Sequence, residues 1–244
     1  MINEVCGTRP LRKRVNGALL AISASFRWNS PPLLAHGEVR LSAEQIYPRL
    51  FDAILEQRLA PGSALPEQAL GEAFGVSRTV IRRVLGRLCD QQVIVQRPSH
   101  TARLAAPDPQ QARQILSARR LAETTLITLA AQRSRPAKIR QLRELVARER
   151  QHHEQGQRCT AIRLGGEFHL KLAEIANNAP LTRFLNGLVP QTSLIIAQYE
   201  TRPCSHCAWQ EHAAIIDALE QGDGEAALAL MHQHLDHIEA KLDL

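Results

Sequence analysis

Residues 73–85, Ala73-Phe74-Gly75-Val76-Ser77-Arg78-Thr79-Val80-Ile81-Arg82-Arg83-Val84-Leu85, read as two short helices joined at Gly75. In the second helix Ile81, Val84, Leu85 and Leu88 fall at i, i+3, i+4 and i+7, which makes one apolar stripe. Arg78, Arg82 and Arg83 project away from that stripe, and Ser77 stands where an N-cap hydroxyl can satisfy a free amide. A short helix held by its apolar side and bearing Arg and Thr on the other is what the major groove of DNA admits.

The surrounding residues extend the motif into a compact unit over 41–106. Ser42 and Gln45 form a capping-box pattern, and Ile46, Leu50, Ala53 and Ile54 make the inner face of a first helix. Pro61-Gly62 turns the chain. Pro66, at a first helical position, opens a second helix with Leu70, Ala73 and Phe74 inside. Val93-Ile94-Val95 and Thr101-Ala102-Arg103-Leu104 read as two short strands about Pro98-Ser99-His100. The expectation is a winged helix-turn-helix. Pro107, Asp108 and Pro109 read as a linker, followed by six helical patterns at about 110–133, 137–154, 160–177, 181–200, 207–221 and 223–242. Residues 107–244 should therefore fold as an antiparallel six-helix bundle, and the whole chain as mainly α.

Charge follows this division. The net charge is +6 over 244 residues. Residues 1–40 carry +4, residues 41–76 carry −3, residues 77–104 carry +5, and residues 105–244 are neutral. The excess in the arginine helix and in the first forty residues suits a phosphate backbone. Aromatic residues are scarce at 4%, so Leu, Ala, Ile and Val must fill the cores. No apolar run is long enough to span a bilayer. Five cysteines at irregular spacing argue against a disulfide framework and fit a reducing, cytoplasmic setting. Arg12-Lys13-Arg14 and the apolar run after it imitate a signal peptide. The DNA-reading motif downstream makes residues 1–40 a disordered basic arm, or the product of a start codon set too far upstream.

Leu65-Pro66-Glu67, Leu70-Gly71-Glu72-Ala73-Phe74-Gly75-Val76-Ser77-Arg78-Thr79 and Leu85-Gly86-Arg87-Leu88 resemble the GntR superfamily of bacterial transcription regulators. Ala118-Arg119-Arg120-Leu121-Ala122-Glu123, Glu167-Phe168-His169, Asn178, Glu211-His212-Ala213-Ala214-Ile215, Gly222-Asp223 and Met231-His232-Gln233-His234-Leu235 resemble the ligand-binding domain of its FadR subfamily. Six helices rather than seven point to the VanR branch. The resemblance covers residues 41–242 and implies a homodimeric regulator of a double-stranded DNA operator. In this family that is most often a repressor released by a small organic acid bound in the helical domain.

Three departures stand out. The family's Thr-Pro-Val-Arg-Glu-Ala reads Thr79-Val80-Ile81-Arg82-Arg83-Val84, and Arg83 in place of an acid should raise nonspecific affinity for DNA. The wing, which usually carries a glycine, has Thr101. The resemblance also implies a metal site of one Asp and three histidines, and the Asp position, four residues before His169, is Gly165. Glu167 lies about 200° around the helix from His169 and cannot substitute.

Periodicity supports the histidines independently. His169 shares a face with Leu172, Ala173 and Ala176, His212 with Ile215, Ile216 and Leu219, and His234 with Met231, Leu235 and Ile238. Three imidazoles meeting inside a bundle suit Zn²⁺ or Ni²⁺. Three unrelated core histidines bonded to carbonyls are the alternative. Without the Asp the site is expected to be more positive, to bind metal weakly or keep positions open, and to favour a carboxylate effector. His152, His153, His206, His232 and His237 show no such register and should face solvent. Arg119 either reaches the pocket to pair with an acid or makes a surface salt bridge to Glu123. Asn178 completes the effector-site candidates. The DNA-contact candidates are Ser77, Arg78, Thr79, Arg82 and Arg83, with Arg78 and Arg82 reading bases or adjacent phosphates and the others mainly backbone. Cys204-Ser205-His206-Cys207 is a bland loop or a redox pair. A metal-dependent hydrolase built on the three histidines is the competing function, though no nucleophile motif or phosphate loop accompanies them.

Overall fold

A computed structural model describes residues 41–200, 207–242 and 244. The expectations placed on residues 1–40, on Cys204 and on His206 fall outside the described residues. Helix α1 (Ala43–Leu55) starts at a capping box in which Ser42 and Gln45 bond reciprocally, and it buries Ile46, Leu50, Ala53 and Ile54. Helix α2 (Glu67–Phe74) ends at Gly75, whose φ of 64° lies in the left-handed region that glycine tolerates. That single residue redirects the chain into α3 (Arg78–Asp90), which buries Ile81, Val84, Leu85 and Leu88. Pro66 is the N-cap of α2 rather than its first residue. The Tyr47 hydroxyl donates to Gln91 Oε1 at 2.7 Å, and the Arg87 guanidinium lies 3.6 Å above the Tyr47 ring, which clamps α3 onto α1.

The wing strands are shorter than expected. β1 (Ile94–Val95) and β2 (Arg103–Leu104) pair antiparallel, Ile94 opposite Leu104 and Val95 opposite Arg103. Val93 pairs by half, its carbonyl accepting the Ala105 N–H while its own N–H closes back onto Leu88, and the Ala102 carbonyl is taken by the Leu65 N–H. The glycine-like backbone of the wing sits not at Thr101 but at Ser99, with φ 60°.

The expected linker is a helix start. Asp108 caps α4 (Pro109–Arg133) through a second capping box with Gln111, and Pro109 takes the first helical position. Helices α5 (Pro136–Glu154), α6 (Arg158–Ala176), α7 (Ala179–Tyr199), α8 (Ala208–Glu220) and α9 (Gly224–Ala240) follow, so the six expected helices are all present. Leu126, Ile127, Leu142, Leu164, Phe168 and Ile215 lie in one continuous core. Helix α6 is central, packing against α1, α4, α5, α7 and α8. No helix among the described residues is long and apolar enough to cross a membrane.

Candidate functional site

His169 on α6, His212 on α8 and His234 on α9 are each 1–2% exposed and converge. His234 Nε2 lies 3.2 Å from His169 Nε2 and 3.3 Å from His212 Nε2. The opposite nitrogen of each ring faces a carboxylate: His169 Nδ1 lies 2.5 Å from Glu123, His212 Nδ1 2.8 Å from Glu149, and His234 Nδ1 2.6 Å from Glu211. A carboxylate accepts, so each Nδ1 carries the proton and each Nε2 directs a lone pair at the others. Ligands about 2.05 Å from a tetrahedral cation lie about 3.3 Å from one another, which is the spacing of both pairs that include His234. Glutamates behind the imidazoles fix tautomer and ring orientation as outer partners of a metal site do. Phe168 stacks on His212 with ring centres 4.2 Å apart and holds that ring from the side.

The cluster has anionic partners that the loss of an Asp at position 165 does not touch: Glu123, Glu149 and Glu211 bring three carboxylates from α4, α5 and α8, and Arg119, Arg158 and Lys241 are cations lining the same cavity. Buried charges need partners, and these carboxylates find theirs in the Nδ1–H groups of the imidazoles and in Arg119, while the three histidines form a cluster that could hold a metal ion. Burial pushes the Glu123 carboxyl upward, but Arg119 and then His169 outweigh it and hold it at about 2. Burial, opposed by Glu123, lowers His169 to about 3. Burial and the two neighbouring imidazoles push His234 down as well. Both rings therefore present neutral nitrogens near pH 7, as metal ligands must.

Gly165 explains where the expected Asp would have gone. A Cβ built there meets Glu149 Oε1 at 3.0 Å and His212 Cε1 at 3.3 Å. The carboxylate of α5 already occupies the space a side chain on α6 would fill.

Both readings of Arg119 hold a part of the answer. It does pair with Glu123 one turn on, but the pair is buried, with side chains only 3% and 2% exposed. Its Nη2 has no hydrogen-bond partner although it is buried, and the residue lines a cavity of about 530 Å³ shared with His169, His212 and His234. That volume suits a small organic ligand. Asn178 is not brought to the cavity. Its side chain accepts from the Leu181 N–H and caps α7.

On α3 the residues chosen for DNA contact, Ser77, Arg78, Thr79, Arg82 and Arg83, are all exposed. Ser77 occupies the N-cap position without a side-chain capping bond. Arg78 Nη2 donates to Gln68 Oε1 at 3.0 Å and Arg82 Nε to Glu67 Oε2 at 2.8 Å, so α2 props two of the guanidinium groups.

Not every other histidine is idle. His237 pairs with Glu211 beside the cluster, and His232 Nε2 lies 2.9 Å from Thr124 Oγ1. His153 lines the cavity. The three glutamates were the larger omission. Glu211 adjoins His212 in sequence and Glu123 lies one turn from Arg119, but nothing in the spacing marks Glu149.

The match to the bacterial regulatory proteins of the gntR family spans residues 42–102, and the match to the FCD domain spans residues 114–237. The Uxu operon regulator of Haemophilus influenzae is 28% identical, over 74% of this chain and 74% of its own length. The HTH-type transcriptional repressor RspR of Escherichia coli is 26% identical, over 80% of this chain and 86% of its own. The structure of E. coli McbR/YncC superposes with a TM-score of 0.67 at 21% identity, covering 81% of this chain and 95% of that one, which shows a shared fold. The exposed arginine helix, the six-helix domain with its buried cavity and both domain matches agree, and they set the hydrolase reading aside: the chain belongs to the GntR family of bacterial regulatory proteins, with an FCD domain, and is a ligand-responsive, DNA-binding transcription regulator.

Proposed function

We propose that the protein is an operator-binding repressor, active as a homodimer, that a small carboxylate releases from DNA. Residues 41–106 act as the DNA-binding domain and 107–244 as the effector-binding and dimerisation domain. Two copies of α3 enter successive major grooves of a near-palindromic operator. Arg78 and Arg82 read bases or adjacent phosphates, and Ser77, Thr79 and Arg83 hold the backbone.

The observation that carries the effector reading is the unpartnered Nη2 of buried Arg119 in a cavity shared with three converging imidazoles. A guanidinium held there is a ready carboxylate partner, because leaving a buried charged donor unmatched is costly. His169, His212 and His234 would hold zinc or nickel, which supplies Lewis acidity toward a carboxylate oxygen. Glu123, Glu149 and Glu211 orient those imidazoles. Release requires that the carboxylate bind a dimer geometry unsuited to the operator more tightly than the DNA-competent one.

The test is binding of the purified protein to the promoter region upstream of its own gene, by fluorescence anisotropy at low ionic strength, followed by a panel of organic acids added to the complex. Binding with release by at least one acid is expected. No binding to that region at low salt would overturn the regulatory reading, and binding that no carboxylate relieves would overturn the effector class.

A further inference from the structure

The cavity has a second chemical feature that the imidazole cluster does not use. Cys207 stands at the N-cap of α8, and its Sγ lies 3.2 Å from Nε2 of His153 on α5. Both residues line the cavity, Cys207 half-buried and His153 exposed at its solvent edge. Two independent features of the same cavity point to a polar occupant: Arg119, only 3% exposed with Nη2 unpartnered, and the buried, unpartnered Nε1 of Trp209 two residues beyond Cys207. A thiol beside an imidazole at the positive end of a 13-residue helix is a thiol placed to ionise.

We infer that Cys207 and His153 form a nucleophilic pair at the cavity's edge, a covalent modification site for small α,β-unsaturated carboxylates. The choice of a carboxylate rests on the effector reading above, and the nucleophilic pair does not. His153 Nε2 takes the thiol proton, giving thiolate and imidazolium. The thiolate adds to the β-carbon of the alkene and forms one C–S bond. The displaced π pair moves to the α-carbon, which takes the proton back from Nε2–H. No leaving group, oxidant or reductant is involved. Arg119 holds the carboxylate, so an acid that enters this cavity with an alkene would stay bound after it reacts, unlike a saturated acid. Cys159 offers an internal control, because burial pushes its thiol up and away from ionisation.

The experiment treats the full chain at pH 7 with acrylamide and with acrylate, one neutral and one anionic Michael acceptor. Tandem mass spectrometry reads each as the ratio of adduct at Cys207 to adduct at Cys159, which cancels the reagents' own reactivities. A ratio above about tenfold is expected with acrylamide, higher again by several-fold with acrylate, and His153→Gln should reduce both about tenfold. Because His153 is exposed, that substitution leaves the core untouched. A ratio near one, or a high ratio indifferent to His153→Gln, overturns the pair. A high, His153-dependent ratio that is equal for the two reagents upholds the pair and counts against the carboxylate reading of the cavity.

Discussion

Gly165 and Glu149 behave as one unit. The Glu149 carboxylate lies against the bare Cα of Gly165 and accepts from His212 Nδ1 at 2.8 Å, so the glycine makes room for the anion that orients His212. On sequence alone, Gly165→Asp looks like the repair of a missing ligand that should tighten metal binding. The structure reverses that expectation: the new side chain meets Glu149 Oε1, and two carboxylates would share one buried space. We expect Gly165→Asp to lower stability by about 1–3 kcal/mol and to weaken zinc binding, with both losses partly relieved by adding Glu149→Gln. Urea denaturation and competition with a zinc indicator measure these, and a tighter site in the single variant would sink the assignment. At the other end of the chain, Arg78→Ala should cost about 1–3 kcal/mol of operator binding while its footprint on nonspecific DNA changes little. Arg78 is exposed and donates to Gln68 of α2, so its removal leaves the apolar stripe of α3 packed.

At the level of helices, what could be read in advance was whatever repeats along the chain. Ile81, Val84, Leu85 and Leu88 proved to be the buried stripe of α3, and the six helical patterns after Pro107 proved to be α4 to α9. His169, His212 and His234 were legible for the same reason, each sharing a period with apolar neighbours. Glu123, Glu149 and Glu211 were not, because a carboxylate on a helical stripe looks like an exposed acid until another helix brings an imidazole to it. Capping shows a similar limit. Ser77 reads as a cap and Asp108 as part of a linker, yet it is Asp108 that makes the capping bond, accepting from the Gln111 N–H at 2.8 Å, while Ser77 makes none. Asp108→Ala should therefore lower stability by about 1 kcal/mol, whereas Ser77→Ala should change it by less than about 0.5 kcal/mol and act on DNA binding instead. Paired urea titrations and anisotropy measurements separate the two, and equal stability losses would refute the distinction.

A ligand-responsive regulator needs its cavity to speak to its DNA-reading helix, and the contacts between α1 and the bundle show one way it can. Asp52 on α1 accepts from Arg163 Nε at 2.6 Å and Nη2 at 3.1 Å, and from Thr160 Oγ1 at 3.0 Å. Arg163 and Thr160 belong to α6, the helix that also carries Gly165 and His169. Gln57, just beyond α1, donates to the Ala197 carbonyl of α7 at 2.5 Å, and the Tyr199 hydroxyl donates to Pro107 at 2.7 Å where α4 begins. A shift of α6 at the imidazole cluster would reach α1 through this two-pronged ion pair, and α1 is the helix on which Tyr47 and Arg87 seat α3. Asp52→Asn keeps the shape and one accepting oxygen but removes the charge that holds Arg163 in register. If the ion pair transmits, the substitution should leave operator affinity without effector within a few-fold. It should also shrink the change caused by a releasing carboxylate, or by zinc alone, from the 5- to 150-fold range of ordinary coupling toward unity, roughly. Zinc affinity, measured in the same variant, should stay near its original value, because Asp52 touches none of the imidazoles or their glutamates. A full response retained in Asp52→Asn would mean that the signal travels by another route, and the α7 contact through Gln57 would then be the next to cut.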